Sequence, residues 1–325
     1  MNVNQQTSEH GRWNASNLDL ERVFFKFSPE AEEQFKYYIQ NLGELDQIKN
    51  FIISKSDFPK FESELEICRE EIEHGQRFVV LESIEGLDYN EIQMYCWIIS
   101  NLLGTPLVQD QSGKRLIHIY DRDKTKRIKD GARYHQTHES GAIHTDNVNT
   151  PLPWQYLVVG CVFPAMIGGE NIIVSALSAH DFLEKKAPDE LAVLKENFWW
   201  EYRGISSELY QAPIISYTNN GEPMFRYLRT YLESAHLKAK QPLTDKQIHA
   251  LDALDATLNM SEFQIKHRLK EGQILVAYDS QIFHDRECFT DYPDSISVEE
   301  KRAGENGILR RSLERAWVKK IEKIL

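Results

Sequence analysis

The feature that most constrains this chain begins at residue 141. From there on, apolar runs of strand length, YLVVGCVFP, ENIIVSA, FWWEYRG and ILVAYDSQIFH, are cut by Gly, Pro and Asn turns. Two helical stretches interrupt them. SALSAHDFLEKKAPDELAVLKEN opens with Ser178 and Asp181 three apart, and LTDKQIHALDALDATLNMSEFQI opens with Thr244 and Gln247 in capping-box spacing. Many short strands with inserted helices predict an α+β fold built on a double-stranded β-helix, a jelly-roll barrel with helical insertions.

Upstream the texture is helical and α/β. FSPEAEEQFKYYIQNL puts Pro29 near a helix start with acids in the first turn, where the helix dipole favours them. SELEICREEIEHG ends at Gly75, a C-cap. RFVVLES reads as a strand feeding the helix GLDYNEIQMYCWIISNLLG, in which Asp88 and Glu91 form a capping box and Gly104 closes the helix. LIHIYDRD reads as a further strand, and the basic tract KTKRIKDGAR as a loop bordering the site. The expected organisation is a polar, poorly ordered tail over residues 1–17 and one domain over 18–325. That domain divides into an N-terminal helical and α/β portion, 18–130, and a jelly-roll core with helical insertions, 131–325.

The chemistry gathers in GAIHTDNVN, residues 141–149. In an extended segment His144 and Asp146 point to one face, so an imidazole and a carboxylate converge. That is two thirds of a facial metal site, and the leading third ligand is His284 in QIFHDRE. Two His and one carboxylate leave three coordination positions open, the arrangement of non-haem Fe(II) oxygenases. His-x-Asp alone is a weak signal. His135 and His138, in RYHQTHES, stand as another cluster with His144, and zinc also accepts this donor set with an open position.

The order of elements carries more than the motif. His-Thr-Asp is followed by GGEN after a reverse turn, by an apolar strand ending in FHDR, and by RRSLERAW near the C-terminus. Over roughly residues 75–320 this resembles the TauD/TfdA-like family of Fe(II)- and 2-oxoglutarate-dependent dioxygenases, within the clavaminate synthase-like superfamily. The resemblance implies that His144, Asp146 and His284 hold Fe(II), with 2-oxoglutarate and O₂ as co-substrates. Asp279 stands where an Asn often occurs. Asp146 is intact, which sets the chain apart from halogenating relatives that replace the carboxylate. The family's Arg-x-x-x-Arg matches Arg311 and Arg315. A guanidinium pairs bidentately with a carboxylate, so Arg311 is assigned to the far carboxylate of 2-oxoglutarate. Arg315 lies nearer the metal, touching the co-substrate's other end or the substrate, and Arg310 points away. The interval from His284 to Arg311 is longer than usual and holds the acidic insert CFTDYPDSISVEEKRAGENG. Asn171 stands where a Thr often contacts the co-substrate, and its amide can donate to a carboxylate.

The implied reaction turns 2-oxoglutarate into succinate and CO₂ while oxidising a C–H bond, most simply by hydroxylation; desaturation and epoxidation use the same machinery. Substrate-pocket candidates are Arg133, His135, Glu139, Asn147, Arg226, Arg229 and Arg315, with Tyr227 and Tyr231 beside them in PMFRYLRTYLES. Several cations with one acid suit an amino acid or similar zwitterion. Two rivals remain: a zinc hydrolase or isomerase on the same barrel, and a barrel that only binds a small ligand. The formal net charge is −12 with basic residues mixed among acids, which argues against a nucleic-acid partner. No apolar run approaches the about 18 residues of a membrane span. Cys68, Cys96, Cys161 and Cys288 are scattered without CxxC, and MNVNQQTSEHGRWN has no apolar core. Both point to a cytoplasmic location.

Overall fold

The protein is described by a computed structural model covering residues 10–43, 46, 53–121, 138–151, 154–202, 206–293 and 310–321. Among these residues the helices are α1 (Leu20–Val23), α2 (Pro29–Gln40), α3 (Pro59–His74), α4 (Tyr89–Leu103), α5 (Ala176–Lys186), α6 (Pro188–Leu194), α7 (Arg229–Lys238) and α8 (Asp245–Leu258). The strands are β1 (Phe24–Phe25), β2 (Phe78–Leu81), β3 (Gly104–Pro106), β4 (Ile117–Ile119), β5 (Tyr156–Phe163), β6 (Ile167–Gly168), β7 (Asn171–Ser175) and β8 (Asn197–Glu201). They continue with β9 (Leu209–Pro213), β10 (Ile215–Tyr217), β11 (Pro223–Phe225), β12 (Gln264–His267), β13 (Ile274–Tyr278), β14 (Ile282–Arg286), β15 (Phe289–Thr290) and β16 (Ser312–Lys320).

Local chemistry sets the helix ends. Ser28 caps α2 with Pro29 at its first position, and Gly75 and Gly104 close α3 and α4. The capping boxes Asp88–Glu91 and Thr244–Gln247 both form. α5 differs from its expected start. Its cap is Ser175, whose Oγ accepts from the Ser178 backbone N–H and donates to the Gly11 carbonyl. The hydroxyl at the end of β7 reaches the first turn before Ser178 can, so Ser178 and Asp181 lie inside the helix.

Two sheets dominate. The larger runs β1-β2-β13-β5-β16-β3, with β4 also on β16, and the smaller runs β12-β7-β14. The period of two decides what each face meets. Val79, Leu81, Tyr156, Val158, Ile274, Val276, Ala316 and Val318 face the core under α2, α3 and α4. The opposite set, Val80, Leu157, Val159, Leu275, Ala277, Leu313 and Trp317, shares a core with Ile173 and Ile282 of the smaller sheet. The other face of the smaller sheet, through Ile172, Val174 and Phe283, packs with α5 to α8. The result is a mixed α/β fold of four layers, helices outside and two sheets within. Hydrogen bonding does not close the sheets into one barrel among the described residues. No helix there is long and apolar enough to cross a membrane.

Two segments depart from their expected form. ILVAYDSQIFH is two strands, β13 in the larger sheet and β14 in the smaller. A turn closed by Gln281 N–H to the Tyr278 carbonyl (2.9 Å) switches the chain between sheets at Asp279. The C-terminal half of the expected tail is docked. Trp13 is 1% exposed, packs on Phe78 with ring centroids 5.4 Å apart, and donates from Nε1 to the Gln76 carbonyl. A single tryptophan in a polar stretch was the signal, outvoted by its neighbours. Trp13→Ala is expected to lower stability by about 3–5 kcal/mol in chemical denaturation. A loss below about 1 kcal/mol would show that Trp13 does not belong to the core between the sheets.

Candidate metal centre and active site

His144 and His284 exchange both backbone hydrogen bonds, N–H to carbonyl at 2.9 and 2.8 Å. His144, outside the named strands, makes an isolated antiparallel bridge to His284 of β14, so GAIHTDNVN lies along the free side of β14 rather than forming a strand of its own. The pairing sets the two imidazoles side by side, centroids 4.4 Å apart. Thr145 points the other way and ties down Tyr227: its N–H donates to the Tyr227 carbonyl and its Oγ1 accepts from the Tyr227 N–H. Asp146 therefore returns to the face of His144. The chain then turns, with Val148 N–H donating to the Asp146 carbonyl.

Asp146 Oδ1 lies 3.5 Å from His144 Nε2 and 3.8 Å from His284 Nε2. The three donor atoms all fall within 4.8 Å of one another, and no other trio of His, Cys, Asp or Glu converges this way among the described residues. A point equidistant from donors so spaced is about 2 Å from each, the range of a His- or carboxylate-bound divalent ion. The residues present thus fit a metal.

The surroundings orient the donors, as outer partners of metal ligands do. His144 Nδ1 meets the Ala142 carbonyl at 2.7 Å, which fixes a tautomer with Nε2 turned to Asp146. Asp146 Oδ2 accepts from Trp317 Nε1 at 2.7 Å and faces Arg315 Nη1 at 3.1 Å, so Oδ1 is the oxygen left for an ion. The Asp146 N–H donates to Asp279 Oδ1 at 3.0 Å, which anchors the ligand turn to the corner between the sheets. Burial, then His144, pushes the His284 pKa down to about 3, so this imidazole is neutral. Burial opposes ionisation of Asp146, but the Arg315 charge and the His144 hydrogen bond outweigh it and hold its pKa well below the usual range. Burial, with the Asp146 charge beside it, lifts Asp279 to about 8.

The trio opens into a cavity of about 140 Å³, room for small molecules only. Arg311, Leu313, Arg315 and Trp317 line it together, because alternation along β16 brings all four to the inner face. Arg310 points away and donates to the Asp121 carbonyl. Arg311 is 4% exposed, and its guanidinium has no hydrogen-bond or ion-pair partner among the described residues. Burial, then the charge of Arg286, lowers its pKa to about 9. Arg315 also donates from Nε to Gln109 Oε1 and stacks 4.7 Å from the Trp317 ring. Asn171 lines the cavity, with one amide hydrogen given to the His267 carbonyl.

Of the expected substrate residues that are described, Arg315 lines the cavity and the others stand elsewhere. Arg133, His135 and the tract KTKRIKDGAR lie outside the described residues. His138 meets Asp121 Oδ2 through Nδ1 at 2.9 Å rather than joining His144. Glu139 is off the cavity wall, its carbonyl accepting from Arg286 Nη2. Asn147 has the parity of Thr145, so its amide bonds Thr145 and the Phe225 carbonyl, away from the cavity. Arg226 is buried against the Tyr210 ring and donates to the Pro151 carbonyl. Arg229 opens α7 and pairs with Glu233, Asp252 and Asp255. Sequence reasoning missed Arg286, Gln109 and Trp317. Alternation would have found Arg286 from His284 and Trp317 from Arg315; nothing local marks Gln109.

Comparison with known proteins agrees with this geometry. A family model described as "Taurine catabolism dioxygenase TauD, TfdA family" matches residues 45–303. FR-33289 synthase of Streptomyces rubellomurinus is 29% identical over 236 residues, covering 70% of this chain and 67% of that protein. The taurine hydroxylase-like protein SAT17 of Stachybotrys chartarum is 23% identical over 241 residues, 71% of this chain and 61% of that one. Among solved structures, asparagine oxygenase with Fe(II), 2S,3S-3-hydroxyasparagine and succinate superposes with a TM-score of 0.64 at 12% identity, covering 91% of this chain and 93% of that one. The non-heme iron oxygenase OrfP with Fe and alpha-ketoglutaric acid gives 0.61 at 15% identity, covering 91% and 94%. At these identities the structures establish a shared fold.

The donor set makes a direct prediction. In anaerobic titration with Fe(II) or Mn(II), Asp146→Ala should lose tight binding. Trp317→Phe, which keeps the ring on Trp154 but removes the N–H held by Asp146, should weaken metal binding by about 10- to 100-fold. Wild-type affinity in Asp146→Ala would remove that carboxylate from the site.

Proposed function

This chain belongs to the TauD, TfdA family and is an Fe(II)- and 2-oxoglutarate-dependent oxygenase, and from that premise we propose that it hydroxylates an unactivated C–H bond of a small, anion-bearing substrate of amino-acid type. Family membership sets aside the hydrolase and binding-barrel rivals. We read the two main sheets, which share one core, as the halves of a double-stranded β-helix.

The observation that carries the substrate reading is a cation beside the metal trio, in addition to Arg311. Arg311 sits buried with no hydrogen-bond or ion-pair partner for its guanidinium among the described residues, while Arg315 lies beside the trio against Asp146 and Gln109. The far carboxylate of the co-substrate is given to Arg311, which leaves Arg315, beside the metal trio, to meet an anionic group of the substrate. Asp285, which also lines the cavity, would meet the substrate's ammonium. Asparagine oxygenase and OrfP have been solved with hydroxylated amino acids, which supports this substrate class.

When bound, ferrous iron with 2-oxoglutarate and O₂ supplies an oxidant for the C–H bond, with succinate and CO₂ as co-products. The protein's part is positional. His144 Nε2, His284 Nε2 and Asp146 Oδ1 would hold the iron on one face and leave the cavity side open. Arg311 grips the far carboxylate, flanked by Asn171. Arg315 orients the substrate, and Val148, Leu228 and Tyr231 wall the cavity against water.

Succinate release measured against a panel of amino acids tests the reading, and the two arginines should separate kinetically. Arg311→Ala should raise the 2-oxoglutarate KM by about 10- to 150-fold, the value of a charge-assisted pair, with a much smaller effect on substrate KM. Arg315→Gln should do the reverse. An unchanged co-substrate KM in Arg311→Ala moves that role to another residue, and no succinate from any amino acid rejects the substrate class.

A further inference from the structure

We propose that Arg286 is a second guanidinium for the far carboxylate of 2-oxoglutarate, acting beside Arg311. The proposal rests on the Arg311 assignment above and extends it.

The placement follows from β14. Ile282 packs in the core between the sheets, His284 two residues on belongs to the metal trio, and Arg286 two residues beyond lines the same cavity. Its cross-strand partner on β7 is Asn171, another cavity residue. Arg286 and Arg311 then converge on one aromatic ring. Their guanidinium carbons lie 4.7 and 5.0 Å from the centroid of Phe289. Arg286 is held there by donation from Nη2 to the Glu139 carbonyl at 2.7 Å. The backbone opposite is cut back to make room. Gly169 has φ +77°, and a Cβ at that position would stand 3.0 Å from Arg311 Nε.

Two guanidinium groups held around one ring, one of them buried, repel each other. A carboxylate offers about four lone-pair sites, enough for two donor forks. Seated at this end of the cavity, it turns the like-charge contact into two opposite-charge contacts. A substrate anion fits Arg286 less well, because Arg315, next to Asp146, is the cation at the reacting end.

Binding measured without turnover tests this. Wild type, Arg286→Gln, Arg286→Lys and Arg311→Gln are loaded with Mn(II). Each is titrated by calorimetry with 2-oxoglutarate and with 2-oxobutyrate, which has the same 2-oxo acid head and no far carboxylate. Arg286→Gln should weaken 2-oxoglutarate by about tenfold or more, the scale of one charge-assisted contact. It should leave 2-oxobutyrate within about twofold, and Arg286→Lys should fall between. Unchanged 2-oxoglutarate affinity overturns the proposal. Equal losses for both ligands overturn it too, since Arg286 would then only shape the wall. If Arg286→Gln does not fold, the ratio of the two affinities in Arg286→Lys decides: a drop supports the proposal and an unchanged ratio overturns it. Arg311→Gln separates the two claims. Wild-type 2-oxoglutarate binding in that variant removes the Arg311 assignment, whatever Arg286 does.

Discussion

The reciprocal backbone bonds between His144 and His284 are the joint on which the site hangs. They fasten a segment with almost no regular structure to the edge of β14, whose other edge is already paired to β7. Once that pair forms, little is left free. The imidazoles must lie side by side, Thr145 must face Tyr227, and Asp146 must come back to the imidazoles. Asp279 completes the frame from the larger sheet by accepting the Asp146 N–H at the corner where the chain changes sheets. Each candidate ligand is thus positioned through backbone that belongs to a sheet or is bonded to one. That rigidity is what a centre with open coordination positions requires.

Charge is arranged along the cavity as deliberately as geometry. At one end Asp146 is shared between the imidazoles on one oxygen and Trp317 with Arg315 on the other. At the far end Arg311 is buried among Phe289, Gly169 and Arg286, with its charge opposed by burial and by its like-charged neighbour. A buried unpaired cation is expensive. Arg311, with no hydrogen-bond or ion-pair partner for its guanidinium among the described residues, is suited to an anionic occupant of the cavity, the role proposed for 2-oxoglutarate.

What could be read from the sequence was whatever a short-range rule governs. Capping boxes at Asp88 and Thr244 and closing glycines at 75 and 104 are local chemistry, and they hold. Period-two alternation placed Arg311 and Arg315 on one face with Arg310 opposite, and the same rule, carried two residues further, reaches Trp317 and Arg286. What could not be read was long-range. ILVAYDSQIFH looks like one strand because its apolar content is continuous, and only pairing partners far away in sequence divide it between sheets. Ser175 took the cap expected of Ser178 for a tertiary reason as well, since it also binds the N-terminal segment at Gly11. Arg226 and Arg229 were drawn toward the site by their charge, but a long flexible side chain goes where its partners are, here Pro151 for one and Asp252 and Asp255 for the other.

The same contrast divides the cavity itself. The cavity residues His284, Arg286, Asn171, Arg311 and Arg315 come from β14, β7, β16 and the residue just before it, where alternation fixes direction. The remaining wall comes from pieces that no single strand rule governs: Gln109 after β3, Val148 and Asn149 in the turn after Asp146, Leu228 and Tyr231 at the start of α7. Connections of that kind vary while the scaffold persists. The metal trio's His284 and the arginines of the cavity thus come from paired strands or the residue beside one, and the rest of the wall from connections and the first turn of α7. On the proposed function, a change of substrate would fall on side chains such as Gln109, Asn149 and Tyr231 and would leave the His144–His284 joint untouched.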